Sequence, residues 1–199
     1  VVEERLKRPP RERDAPLSVL EWQVLTSTNK VRARLNQLLQ EYFNPDGDTL
    51  ARVWENGQPQ EVRRGDKIVI VRNDYEIDVM NGQTGLVTGA GRTPGSITVM
   101  IDERLVDVPA DLVASHVRLG YCITVHKAQG SSWHTVISVE DGHVWGASNR
   151  LYYTTCTRAE HHVAFIASLD AKSWWADVTK PEPPRQSTLL ARVAGSHTR

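Results

Sequence analysis

The sequence predicts an α/β protein: a parallel sheet with crossover helices, interrupted by a small β-barrel. Three observations carry this. A short strand runs into a capped amphipathic helix between residues 21 and 43. From about residue 61 the period changes to short β segments with tight turns, the pattern of a small closed or half-closed barrel. After residue 116 strand and helix alternate again, which argues for a parallel sheet. The two α/β pieces then share one sheet, and the barrel interrupts a single domain. The boundaries read as a connector over 1–16, a discontinuous domain over 17–60 and 117–178, a barrel over 61–116 and a flexible tail over 179–199.

The elements follow in order. Residues 1–16 are charged and Pro-containing, with little periodicity. In EWQVLTSTN, Trp22 to Leu25 reads as a strand, and Thr28 or Asn29 can cap the next helix. Val31, Leu35, Leu38, Leu39 and Tyr42 recur at helical spacing until Pro45 and Gly47 stop it. DKIVIVRND is β-rich, and Asn81-Gly82 is a turn signal before another strand. SITVMIDERLVDVPADL reads as a hairpin with Asp102, Glu103 and Arg104 near its tip. VRLGYCI and HTVISVE read as strands, NRLYYTTCTRAEH (149–161) as a helix, and HVAFIAS (162–168) as a strand. The tail is Pro-rich and polar.

Composition narrows the class. The 199 residues suffice for one large or two small domains. The chain begins Val1-Val2 without Met, which is read as an excised fragment or a processed chain. No run of eighteen apolar residues occurs, so no membrane span is expected, and the charged N-terminus is not a secretory signal. Lys plus Arg equals Asp plus Glu at 24 each, so any nucleic-acid contact must come from a local basic groove. Cys122 and Cys156 fit a reduced cytosolic protein, and the strings around them predict buried thiols. His134, His143, His161 and His162 lack the spacing of a zinc site, so no metal ligand set is expected. Trp22, Trp133 and Trp145 are read as packing residues before base-stacking ones, and Trp174-Trp175 as pins for a last helix. Arg63, Arg64, Lys67 and Arg72 of the barrel read as a solvated face, with strand binding as the alternative.

One run is chemically dense. TVHKAQGSS (124–132) offers hydroxyl, imidazole, ammonium and amide groups with almost nothing apolar, a set suited to a phosphate-rich ligand. YCITVHKAQGSSW resembles motif V of superfamily 1 helicases, and LYYTTCTRAEHHVAFIAS resembles their motif VI. GDKIVIVRNDYEIDVMNGQTGLV resembles the small barrel inserted in RecD-like helicases, and LTSTNKVRARLNQLLQEYFNP resembles their motif IV region. Four segments in family order make the resemblance specific. It implies the second RecA-like motor domain with an SH3-like insertion, cytoplasmic, in DNA repair or recombination.

The resemblance also implies roles. Thr124, His126 and Lys127 would face single-stranded DNA. Gln129 and Gly130 would couple that grip to a nucleotide cleft, with Ser132 standing where the family has a ribose-contacting Glu. Arg158 would be an arginine finger, with Tyr153, Thr154 and Thr157 shaping its helix. Arg32 or Lys30 would add a second positive contact to nucleotide. No G-x-x-x-x-G-K-[ST] loop and no acidic Mg²⁺ box occur in the sequence, so ATP and Mg²⁺ would be held mainly by an N-terminal motor domain of the same protein. Nuclease or repair subunits are further partners the resemblance allows. Two other readings stand beside it: a non-catalytic DNA- or partner-binding module derived from a helicase, and the helicase part of a conjugative relaxase.

Overall fold

The structure, a computed structural model, describes residues 19–55, 57–140 and 149–167, with Ala176 and Thr179. The expected connector, His143, Trp145, Trp174-Trp175 and nearly all of the expected tail lie outside the described residues.

Two sheets share the chain. The first is parallel, in the order β11-β10-β1-β9, built from β1 (Trp22–Thr26), β9 (Cys122–Thr124), β10 (Trp133–Glu140) and β11 (Ala159–Ala167). Helix α1 (Asn29–Phe43) follows β1, and Thr28 caps it by accepting from the Val31 N–H at 3.3 Å. Helix α3 (Asn149–Cys156) precedes β11. The second sheet is antiparallel, in the order β7-β6-β5-β4-β8: β4 (Lys67–Ile70), β5 (Thr84–Ala90), β6 (Ile97–Ile101), β7 (Arg104–Val108) and β8 (Val117–Leu119). A separate hairpin, β2 (Thr49–Glu55) and β3 (Gln58–Arg63), closes over it, and the short helix α2 (Ala110–His116) precedes β8. The expected architecture is therefore present: a parallel sheet with helices and an SH3-like antiparallel insertion.

Several local expectations change. The barrel core takes Val53 and Val62 from the hairpin and Val117 from β8, so it draws on residues from both sides of 61–116. VRLGYCI is two strands in two sheets, because the chain turns across at Gly120. A Cβ there would lie 2.4 Å from the Ile68 carbonyl carbon, so only glycine fits that crossing. The helix expected over 149–161 ends at Cys156, since residues from Ala159 pair with β10. Helix α2 replaces the end of the expected hairpin. Asp102 and Glu103 do form that hairpin's turn, with φ of 47° and 63°. Cys122 is buried as expected, but Cys156 is exposed.

The inner face of α1 is mixed: Leu39 and Phe43 pack on the core around Leu119 and Tyr121, and polar side chains are buried beside them. Leu38 and Tyr42 point outward, at 57% and 55% exposure, while Asn36 and Gln40 are buried. The reason is hydrogen bonding. Strand β9 has a free edge, and Asn36 takes it: its amide donates to the Cys122 carbonyl at 3.0 Å and accepts the Cys122 N–H at 2.8 Å. Gln40 and Asn44 donate to the buried Asp66 carboxylate at 2.6 and 2.7 Å, and Tyr121 donates to it at 3.0 Å.

Strand β4 belongs to both cores. Its four residues are all buried. Ile68 and Ile70 enter the barrel core, while Val69 joins Leu25, Ile123, Val125, Trp133 and Val136 of the parallel-sheet domain. The alternation of side chains along one strand thus fixes the barrel against the parallel sheet.

Candidate functional site: a basic cleft between sheet and barrel

Where β4 meets the parallel sheet there is a cleft of about 450 Å³. One wall is Asn29 and Arg32 from the first turn of α1, with Ile123, Thr124, His126 and Lys127 at the end of β9. The other wall is Glu55 of the hairpin, Val69 and Val71 of the β4 region, and Arg118 of β8. It opens at the carboxyl ends of β1 and β9, where α/β sheets place their ligands. Thr26 stands beside Thr124 in the register. The hydroxyls of Thr26 and Ser27 are buried there with no hydrogen-bond partner among the described residues.

The chain reaches this place through a tight turn. Lys127 and Ala128 donate their N–H groups to the Thr124 carbonyl at 2.9 and 3.0 Å, and Ser131 donates to Ala128 at 3.2 Å. Gly130 closes the turn at φ 90°. The barrel's own Gly82 turn lies against it, since a Cβ on Gly82 would sit 3.7 Å from the Lys127 carbonyl oxygen. Among the described residues the Thr124 hydroxyl accepts only a long contact, 3.4 Å from the Lys127 N–H, so its proton is available to a ligand.

Electrostatically the cleft is crowded with cations. Burial pushes Lys127 below its ordinary value, and the positive fields of Arg32 and Arg118 push it further; Glu55 acts the other way. Burial likewise lowers Arg118, Glu55 raises it, and Arg32 and Arg72 lower it. Such mutual destabilisation of cations is relieved by a bound polyanion.

The structure divides the sequence-predicted residues into two groups. Arg32, Thr124, His126 and Lys127 line the cleft together. Arg32 is paired with Glu55 at 2.6 Å and lines the cleft with the expected strand contacts, whereas Arg158 does not line it. Lys30 is exposed and does not line the cleft. Gln129 and Gly130 are exposed in the connecting turn.

Beyond the turn lies the second group. Arg158 follows the C-terminus of α3, where a cation is favoured by the helix dipole. Its guanidinium donates to the carbonyls of Ser131 at 2.9 Å and Thr154 at 3.3 Å, and to the Thr157 hydroxyl at 3.2 Å. None of these partners is anionic, so the charge is positioned without being neutralised. Ser132 donates to the Glu160 carboxylate at 2.5 Å. Tyr153 is 70% exposed. Trp133 is buried in the core, and Trp22 packs on Phe43 at 5.1 Å, as packing residues should. The His134 and His161 rings lie 4.4 Å apart and tilted, but no group of three ligating side chains able to hold a metal occurs among the described residues.

Glu55, Arg118, Val69 and Val71 were missed in the sequence. A cue existed in β2: with Val53 inward and Trp54 outward, Glu55 returns to the inner face. Arg118 carried no cue, because its strand was assigned to the other sheet.

Comparison with known proteins gives this arrangement a class. Residues 35–101 match the family described as the SH3 domain of ATP-dependent RecD-like DNA helicases, and residues 119–166 match the UvrD-like helicase C-terminal domain. The chain thus combines a segment similar to that RecD-like SH3 domain with one similar to a UvrD-like helicase C-terminal domain. It is similar to the ATP-dependent RecD2 DNA helicase of Deinococcus radiodurans, 36% identical over 161 residues, covering 80% of this chain and 21% of that protein. It is also similar to the RecBCD enzyme subunit RecD of Mycolicibacterium smegmatis, 27% identical over 137 residues, covering 67% of this chain and 22% of that one. The chain therefore spans about a fifth of the length of these curated relatives. In fold it resembles the Pif1 helicase from Bacteroides in complex with ADP-AlF3 and ssDNA (TM-score 0.60, 15% identity, covering 98% of this chain and 50% of that one). The Pif1 helicase from Candida albicans is similar at TM-score 0.54 and 14% identity, over 98% of this chain and 53% of that one. Among the described residues no helix is long and apolar enough to cross a membrane.

Proposed function

We propose that the chain is the C-terminal motor lobe of an ATP-dependent DNA helicase. It grips single-stranded DNA in the basic cleft and supplies Arg158 to ATP held mainly by an N-terminal motor domain of the same protein. The observation that carries the reading is the cleft itself. Arg32, Arg118 and Lys127 converge with the Thr124 hydroxyl at the carboxyl ends of the parallel strands, a set that matches a sugar–phosphate backbone. The likeness to a Pif1 structure that contains ssDNA supports strand binding. The likeness to an ATP-dependent helicase supports ATP as the fuel, with Mg²⁺.

In this account Thr124 donates to one phosphate, Lys127 and Arg32 supply charge, and His126, exposed at the cleft mouth, donates to a phosphate or stacks on a base. The turn from Thr124 to Ser131 joins this grip to Arg158 through the Ser131 carbonyl. Movement of the strand and of the guanidinium are thereby linked. Gln129, Gly130 and Ser132 lie along that link and face the nucleotide side. The domain division retains the two motor segments, with the insertion widened to about 49–119 to include the hairpin and β8. Repair or nuclease subunits remain candidate partners of the whole protein.

The test is steady-state ATP hydrolysis on saturating single-stranded DNA by a longer protein that includes the first motor domain. Arg158→Ala should lower kcat by two orders of magnitude or more, with ATP binding nearly unchanged, because the interaction is strongest when charge redistributes on the transferred phosphoryl. Arg158→Lys should rescue only in part. A near-normal kcat for Arg158→Ala would favour the non-catalytic binding module.

A further inference from the structure

We propose that Glu55 is an internal stand-in for a nucleic-acid phosphate: it holds the Arg32 guanidinium when no strand is bound and yields it to a backbone phosphate. This rests on the strand-binding reading above. Glu55 would then set how tightly the cleft holds DNA and how readily it lets go.

The geometry supports this role. Glu55 and Arg32 meet at 2.6 Å, with only 9% and 13% of their side chains exposed. Glu55 is the single acid among the residues lining the cleft, facing Arg32, Arg118 and Lys127. A carboxylate and a phosphate present similar oxygen pairs to a guanidinium fork. A nearly buried Arg left without any anion would be strongly destabilised. Glu55 removes that problem in the strand-free state, and a phosphate removes it in the bound state. The exchange costs little because one anion replaces another.

The placement also permits exchange. Glu55 is the last residue of β2, at the tip end of a hairpin that forms a two-stranded sheet of its own among the described residues. The hairpin is anchored further back by Val53 and Val62 in the barrel core. A rotamer change at Glu55 withdraws the carboxylate without moving that anchor. A merely structural ion pair between hairpin and helix would look the same at rest, so the test must separate the two.

The test measures binding of a fluorescent oligothymidylate single strand by the 199-residue chain across a salt series. Wild type, Glu55→Gln, Glu55→Asp, Arg32→Gln and the Glu55→Gln/Arg32→Gln double variant are compared. Glu55→Gln should bind about tenfold tighter, with a log–log salt slope close to that of wild type, because Arg32 meets the same phosphate in both and only the competing carboxylate is gone. Glu55→Asp, one methylene shorter, should move the same way by a smaller factor, and it carries the test if Glu55→Gln folds poorly. The gain should largely vanish when Arg32 is Gln. If wild type binds the strand and neither Glu55 variant binds tighter, Glu55 is only a structural partner and the inference falls while strand binding stands. If no variant binds the strand, the strand reading falls. Thermal melting with inorganic pyrophosphate then decides separately: greater protection of Glu55→Gln than of wild type keeps anion competition at the cleft, and equal protection overturns it.

Discussion

Replacing Lys67 with Met should change the pH dependence of folding as well as its level. The Lys67 amine is wholly buried where the barrel meets the parallel sheet. It donates to the carbonyls of Val19 at 3.0 Å and Trp22 at 2.5 Å, and it lies 5.2 Å from the centre of the Trp22 ring. Among the described residues no carboxylate pairs with it, and burial lowers it from its ordinary 10.5 to about 7. The unfolded chain therefore keeps this proton up to about 10.5, while the folded chain loses it near 7. Between those values the unfolded state binds more protons, so stability rises with pH by about 1.4 kcal/mol per unit. From pH 7 to 9 the gain is ~2–3 kcal/mol. Below pH 7 both states are protonated and this group gives no pH dependence. Lys67→Met removes the slope, at a pH-independent cost of about 1–3 kcal/mol for each carbonyl left without a donor. Urea unfolding of both proteins at pH 6, 7, 8 and 9 supplies the measurement. The range stops at 9 because buried Cys122, pushed up to about 12, makes stability fall above its ordinary 9. The wild-type minus Lys67→Met difference should be flat below 7 and climb above it. Parallel curves would refute the reasoning.

Gly120→Ala should destabilise the chain by about 3 kcal/mol in urea unfolding, because the new methyl meets Ile68 backbone that has nowhere to move; a loss under about 0.5 kcal/mol would show that the crossing tolerates a side chain. Asp66→Ala should cost ~3 kcal/mol or more, since Gln40, Asn44 and Tyr121 all donate to that carboxylate and would lose their acceptor. A near-neutral Asp66→Ala in the same assay would mean the network is dispensable.

The legible parts of the fold were those encoded locally. Thr28 before a helix and Asp102-Glu103 between two β runs carry their own geometry, so cap and turn could be read without knowing their neighbours. The inner face of α1 could not. Asn36 and Gln40 look like surface residues until one knows that β9 offers a bare edge and Asp66 a buried carboxylate. Leu38 and Tyr42, which fit the apolar period, face outward, while Leu39 and Phe43 pack on the core. The switch at Gly120 was hidden because VRLGYCI is apolar on both sides of a glycine, and periodicity does not reveal a change of sheet. At the site, Thr124, His126 and Lys127 were visible as one dense run. Glu55 and Arg118 come from separate elements, and only the shared strand β4 brings them to the same cleft.

The central claim is that single-stranded DNA lies in the cleft between the parallel sheet and the barrel. Photo-cross-linking of a substituted oligothymidylate to the 199-residue chain, followed by peptide mapping, tests it most directly. The account predicts adducts within Asn29–Arg32, Arg118 and Thr124–Lys127, lost in high salt as a phosphate-driven contact should be. Adducts confined to the barrel's outer face, around exposed Trp54 or Leu105, with none at Thr124–Lys127, would contradict it.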